Sequence, residues 1–212
     1  MLGGVAAGDS KRPALDRRVL RTRTTLQRTL IELVEERELS QIAIADVAER
    51  AGMSRSTFYD HYRDVHELAE AACTAMIDDL IETLPTAATG NAQSPAASLT
   101  RFFTNFADHA GLYRSLLGPH GSARILDHIR CRMTATVHAG INRAGGRESA
   151  RAQSDPPEDS AHDVPAAFIA GALIGVATDW LQRGCPGTPA QTADLTWPIL
   201  AAAHNGSCSP PG

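Results

Sequence analysis

At 212 residues, with 43% apolar but only 5% aromatic side chains, the chain is long enough to bury a core and falls between one domain and two. Its net charge of −4 and pI near 6.0 exclude a protein that coats a polyanion through overall positive charge. Any contact with nucleic acid therefore has to be local.

The opening segment, MLGGVAAGDSKRP, brings Asp9, Lys11 and Arg12 in too early for the apolar core of a secretion signal. The longest apolar run, Val164 to Ala177, is too short for a bilayer core of ~30 Å and reads as a buried helix. The expectation is a soluble, cytoplasmic protein without a membrane partner. Cys73, Cys131, Cys185 and Cys208 are widely spaced and form no CxxC pair, which points to free thiols rather than a zinc site or disulfide framework. No cofactor or metal is expected, and a redox role for Cys131 or Cys185 stays open.

Residues 1–16, rich in Gly, Ala and charge, read as a flexible arm. From Arg17 to Arg37 the pattern is helical, with Leu26, Leu30, Leu33 and Val34 on one face and Glu32, Glu35, Glu36 and Arg37 on the other. Ile44, Val47, Ala48 and Ala51 repeat the helical spacing over two turns, and Gly52 supplies a left-handed helix end. A third helix starts at the N-cap Ser54 and buries Phe58 and Tyr62. Asp64 and Glu67 resemble a capping box for a fourth helix, whose inner face would carry Leu68, Ala72, Ala75 and Met76 up to Leu84 and Pro85.

TAATGNAQSP reads as a loop. Leu99, Phe102, Phe103 and Phe106 mark the most aromatic helix, and GLYRSLLGPHG a short helix between glycines. Ser122 to Ala144 is periodic through Ile125, Ile129, Met133 and Val137, and GGRESARAQSDPPEDSAHD reads as an exposed loop. Val164 to Arg183 is strongly apolar, and Pro189 to His204 is amphipathic with Leu195, Trp197 and Leu200. No segment alternates with period two, so the predicted fold is all-α. The expected organisation is an arm (1–16), a three-helix domain (17–64) joined by a helix (65–84) to a larger helical domain (85–205), and a tail (206–212).

Two short helices joined at a glycine, the second with polar groups outward, form the helix-turn-helix geometry that fits the major groove of B-DNA. Arg55 and Tyr59 lie at i and i+4 with Ser56 beside them, while Phe58 and Tyr62 turn inward. Arg55 has the planar fork for a guanine edge, Ser56 and Tyr59 can bond bases or phosphates, and Thr57 and His61 fall where the helix flank meets the backbone.

The stretch RTRTTLQRTLIELVEERELSQIAIADVAERAGMSRSTFYDHYRDVHEL closely resembles the N-terminal DNA-binding domain of TetR-family transcriptional regulators, whose hallmark is AG(V/M)S-R-x-T-F-Y-x-H-(F/Y) followed by a fourth helix. The likeness covers Arg21 to about Leu84. It implies an N-terminal helix-turn-helix domain plus a larger helical domain for effector binding and dimerisation. It also implies a ligand-released repressor, homodimeric on a palindromic double-stranded DNA operator. By position it implies DNA contacts from Met53, Ser54, Arg55, Ser56, Thr57, Tyr59 and His61, and the basic segment adds Arg21 and Arg23 as candidates. Four departures stand out: Ala43 replaces the usual N-cap Thr, Ala45 and Asp60 stand where cations are common, and Val65 stands in place of Lys. Each missing cation removes one counterion-release contact. Either the basic segment with Lys11, Arg12, Arg17, Arg18, Arg21 and Arg23, opposed by Asp9 and Asp16, supplies the charge, or DNA binding is weak.

In the second domain, Ala166, Ala167, Ala170, Gly171, Ala172 and Gly175 allow close helix approach, as a core helix or a dimer seam. The resemblance implies the seam, with helices near 163–183 and 189–204 doubled across a two-fold axis. Phe102, Phe103, Phe106, Tyr113, Leu117, His128, Met133 and Trp180 are candidates to line a cavity for an apolar or aromatic effector, against the plainer reading of core packing. GxSxG, HExxH, Walker and dinucleotide-glycine motifs are absent from the sequence, so no enzyme is expected. The competing function is a protein-interaction module that keeps the fold with weakened DNA binding.

Overall fold

A computed structural model describes residues 12–83, 95–119, 121–144 and 164–206. All of its regular elements over these residues are helical: α1 (Arg12–Glu36), a 3-10 turn (Leu39–Gln41), α2 (Ile44–Arg50), α3 (Arg55–Tyr59), α4 (Val65–Thr83), α5 (Pro95–Asp108), α6 (Ala110–Leu117), α7 (Ala123–Ala144), α8 (Val164–Gln182) and α9 (Pro189–Gly206). The chain divides into two compact units, Met1–Ala72 and Cys73–Gly212, so the division falls within α4.

In the first unit, Leu26, Leu30, Leu33 and Val34 form the buried stripe of α1, joined by Val47 and Ala48 of α2, Phe58 of α3, Tyr62, and Leu68 and Ala69 of α4. Burying one such large apolar side chain contributes roughly 1.5–3 kcal/mol. Two ion pairs fasten α1 to α2 at the rim: Arg50 grips Glu36 through both carboxylate oxygens at 2.8 and 2.9 Å, and Arg37 reaches Asp46 at 3.1 Å. The hydrogen bonds from Arg50 hold the Glu36 carboxyl below its ordinary range.

Two expectations are corrected here. α1 begins at Arg12, five residues before the expected Arg17, so the helix extends into the segment read as an arm. Pro13 falls in the first turn, where its missing N–H costs no intrahelical bond. On α4 the inner face is Leu68, Ala69, Ala72, Cys73, Ile77 and Leu80, whereas Ala75 is exposed and Met76 half-buried. The buried stripe drifts by one position along the helix, which spacing over short windows does not resolve. Residues 1–11, the segment 84–94 with most of the TAATGNAQSP stretch, the segment 145–163, and the tail from residue 207 with Cys208 lie outside the described residues.

In the second unit α5 packs along α9 and α7 along α8, with α6 set against α7 and α8. Aromatic side chains fill the space under α5. Phe102 and Phe106 lie 4.6 Å apart between centroids, Phe106 stacks on Tyr113 at 4.2 Å, and Phe103 meets Trp180 edge-on at 5.6 Å. The Tyr113 hydroxyl donates to Asn105 Oδ1 at 2.8 Å, and burial pushes its pKa well up. The turn after α6 depends on Gly121, because a Cβ there would stand 2.0 Å from the Leu116 carbonyl oxygen.

α8 corrects the expectation drawn from the run Val164 to Ala177. As a helix of 19 residues it is long and apolar enough, by length and composition, to cross a bilayer. Its Ala166, Ala170, Leu173, Ile174, Ala177, Trp180 and Leu181 are buried within the helical unit, while Val164, Phe168 and Val176 are exposed. The small residues divide between two faces: Ala166 and Ala170 are buried, while Ala167, Gly171 and Gly175 are exposed.

Candidate nucleic-acid interface

The junction between α2 and α3 is specified residue by residue. Gly52 adopts φ +65, the left-handed conformation that glycine reaches without strain. The Met53 N–H then bonds the Ala48 carbonyl at 2.8 Å, closing the C-terminus of α2 in a Schellman-type turn. Ser54 caps α3, its Oγ accepting from the Thr57 N–H at 3.1 Å. Ala43, by contrast, gives α2 no side-chain cap, and its own N–H is bonded by Asp46 Oδ2 at 2.9 Å. Before α4, Asp64 Oδ1 accepts from the Glu67 N–H at 2.8 Å, while Glu67 Oε2 accepts from the Arg63 N–H at 2.7 Å, one residue earlier than a regular capping box.

Phe58 is fully buried and anchors α3, so the opposite side of this short helix faces solvent. Arg55 and Ser56 are exposed, and Tyr59 is 60% exposed with its ring edge-on to Phe58 at 6.0 Å. Thr57, Met53 and His61 are half-buried, and Ser54 is exposed. The Ser54 and Thr57 hydroxyls bond each other at 2.9 Å, so part of their capacity is already used in holding the helix start. On α1, Arg21 and Arg23 are both exposed. Arg23 reaches Tyr62: its Nε donates to the Tyr62 hydroxyl at 3.3 Å and its guanidinium carbon lies 5.5 Å from the ring centroid. Gln27 Nε2 donates to the same hydroxyl at 3.1 Å. Sequence reasoning placed Tyr62 only in the core. The signal that could have shown more is the pair Arg23 and Gln27, one turn apart on α1.

A helix pair of this form, with one buried aromatic anchor and a polar outer row, can present hydrogen-bond donors to a groove. Comparison with known proteins agrees. Residues 28–72 match the profile of bacterial regulatory proteins of the tetR family, and residues 93–199, half of the chain, match that of a transcriptional regulator C-terminal region of the TetR type. The chain belongs to the TetR family of transcriptional regulators.

Members of the TetR family are DNA-binding regulators and not enzymes. This chain is 35% identical over 86 residues to the uncharacterized HTH-type transcriptional regulator YxbF of Bacillus subtilis (strain 168), a match covering 38% of this chain and 23% of the length of that relative. A tetR-family transcriptional regulator from Streptomyces coelicolor has a similar fold, with TM-score 0.62 and 20% identity over 87% of this chain and 83% of that one. The dihydroxyacetone kinase operon activator DhaS is also similar in fold, with TM-score 0.60 and 15% identity over 87% and 96%.

Of the residues read as candidates for an effector cavity in this TetR-family chain, Phe102, Phe106, Tyr113 and Trp180 come together in the buried aromatic cluster with Phe103, and Met133 is buried on α7. Leu117 is half-buried. His128 stands apart in a polar group: Asp78 Oδ1 lies 3.1 Å from His128 Nε2 and 2.8 Å from Arg132 Nε, bridging α4 and α7. An open groove of about 410 Å³ lies instead between α8 and α9, lined by Ala172, Val176, Trp180, Leu195, Thr196 and Ile199 among others, so Trp180 alone of the candidates reaches it. On α9 the buried stripe is Ala193, Thr196 and Leu200, while Leu195 and Ile199 are 74% and 71% exposed.

Proposed function

We propose that this chain is a sequence-specific DNA-binding transcriptional regulator that acts as a homodimer and is released from its operator by a small ligand. The observation that carries the reading is the division of α3 into a buried Phe58 and an exposed row of Arg55, Ser56 and Tyr59. Arg55 would read a guanine edge; Ser56 and Tyr59 would contact bases or phosphates; Met53, Ser54, Thr57, His61, Arg21 and Arg23 would border the duplex. Ser54 and Thr57 would do so chiefly through the helix start they already hold.

Dimerisation is supported by an apolar face that the single chain leaves open. Val164, Phe168, Leu195 and Ile199 are each at least 60% exposed, and the exposed Gly171 and Gly175 of α8 have open space where a Cβ would stand. Two copies joined through α8 and α9 would set the reading helices one duplex turn, ~34 Å, apart for a palindromic operator. The effector would be apolar or aromatic, in keeping with the mainly apolar lining of the space between α8 and α9, where Trp180 meets Ala172, Val176, Leu195 and Ile199. It would act by favouring a state in which the two α3 helices are wrongly spaced. A cytoplasmic location follows from the same reading.

Repression is the simplest consequence of a dimer seated on a promoter, although the fold neighbour DhaS is by its name an operon activator. A reporter placed behind the selected operator decides the sign. The second reading, an interaction module with weakened DNA binding, is favoured by the exposed Asp60 and by Val65 at the start of α4. Selection of bound duplexes from a random pool separates the two: enrichment of one palindromic sequence is the expected result, and failure to enrich any sequence leaves the second reading in place.

A further inference from the structure

We propose that Tyr62, assisted by Gln27, is a positioning residue that holds the Arg23 guanidinium at the rim of the reading face for one DNA phosphate. The inference rests on the DNA-binding reading above. Its first support is charge. In the same unit Arg28, Arg37, Arg50 and Arg63 are each paired with a carboxylate, on Glu32, Asp46, Glu36 and Glu67. Arg23 is held instead by a neutral phenol, through the Nε bond at 3.3 Å and the ring face at 5.5 Å, and among the described residues no carboxylate lies within ion-pair distance of it. Its orientation is fixed while its charge is left uncompensated, which is what an anionic partner requires.

The second support is place. The Tyr62 N–H bonds the Phe58 carbonyl at 3.0 Å, which sets Tyr62 in the turn just beyond the end of α3. Arg55 and Tyr59 form the exposed row of α3, and Tyr62 lies inward of it beside Phe58. Tyr62 is 3% exposed, tilts against Phe58 at 6.1 Å and turns its hydroxyl toward α1. That oxygen accepts from both Arg23 Nε and Gln27 Nε2, which pins the phenol from α1. With Nε engaged, the Nη1 and Nη2 edge of Arg23 remains to donate to a phosphate. A long side chain held in advance loses less rotamer freedom on binding.

A phosphate contact carries no sequence information, so a fluorescent random-sequence duplex is a sufficient probe. With the full chain, Arg23→Ala should lower the slope of log affinity against log salt by about 0.9 per bound subunit, equivalent to about threefold less affinity loss between roughly 50 and 200 mM salt. Tyr62→Phe, which keeps the ring and removes only the hydroxyl, should lower the slope in the same direction and have no further effect when Arg23 is already alanine. Arg23→Lys leaves the core untouched and should reproduce most of the Tyr62→Phe loss, because an ammonium cannot use Nε and the terminal edge together. An unchanged slope in Tyr62→Phe, or effects of Arg23→Ala and Tyr62→Phe that simply add, would overturn the proposal while leaving the DNA-binding reading intact. Failure of the unaltered chain to bind any duplex would overturn both.

Discussion

Arg55 is where the reading is most exposed to mutation. It sits at the first position of α3, its guanidinium in solvent, with Phe58 holding the helix from below. Arg55→Ala should cost about 1–3 kcal/mol of operator binding and relax the preference at one base pair, with little change in folding stability. Selection from a randomised operator, compared with thermal unfolding, checks both halves. Phe58→Ala should do the reverse and cost roughly 3–5 kcal/mol of stability through the cavity it leaves. Gly52→Ala should cost about 1–2 kcal/mol because of the positive φ alone, since nothing stands within 4 Å of the added Cβ. At this scale much was legible in the sequence: Ser54 as N-cap, Gly52 as the left-handed residue, and Phe58 as the anchor all follow from local chemistry. The role of the Tyr62 hydroxyl was only half legible: Arg23 and Gln27 share one face of α1 in the sequence, but only the fold brings Tyr62, 39 and 35 residues away, to them.

For whole elements, α8 and α9 show the limit of periodicity. Helices of high apolar content do not declare which face is covered, and Leu195 reads as core by its pattern yet is among the most exposed apolar residues. The joint substitution of Leu195 and Ile199 by Asp should leave the fold intact and convert a dimer to a monomer, as measured by light scattering at micromolar concentration. A dimer unaffected by these changes would place the interface elsewhere. Acid sensitivity belongs to α1 and α4. Hydrogen bonds from Arg50 lower the Glu36 pKa, and the Arg63 N–H followed by its side chain lowers that of Glu67. Both carboxylates are therefore more acidic folded than unfolded, so their contribution is present above the unfolded glutamate pKa of ~4.3 and fades as the pH falls through the lower folded values. Because both groups are exposed the effect should be shallow, and Glu36→Gln with Glu67→Gln should flatten the stability curve below about pH 4 to 5 when followed by urea unfolding.

Across the whole molecule, the proposed function requires a net charge of −4 to coexist with a polyanionic partner. The basic segment identified in the sequence is in part the helical start of α1, with Arg18 and Arg21 exposed along it. Arg18→Gln with Arg21→Gln should reduce the salt slope of DNA binding by up to about 0.9 per lost phosphate contact, read by fluorescence anisotropy across a salt series. The all-α organisation followed from the absence of period-two alternation and the placement of caps and glycines. That α8 and α9 leave an apolar face open did not follow, because the spacing of apolar residues in a uniformly apolar helix does not say which side is covered. Hydroxyl-radical footprinting on the duplex selected by the full chain reaches furthest into the proposal. Two protected half-sites centred about 10 base pairs apart, both weakened by Arg55→Ala, are expected for a dimer presenting paired α3 helices. A footprint that is single, or that survives Arg55→Ala unchanged, would contradict it.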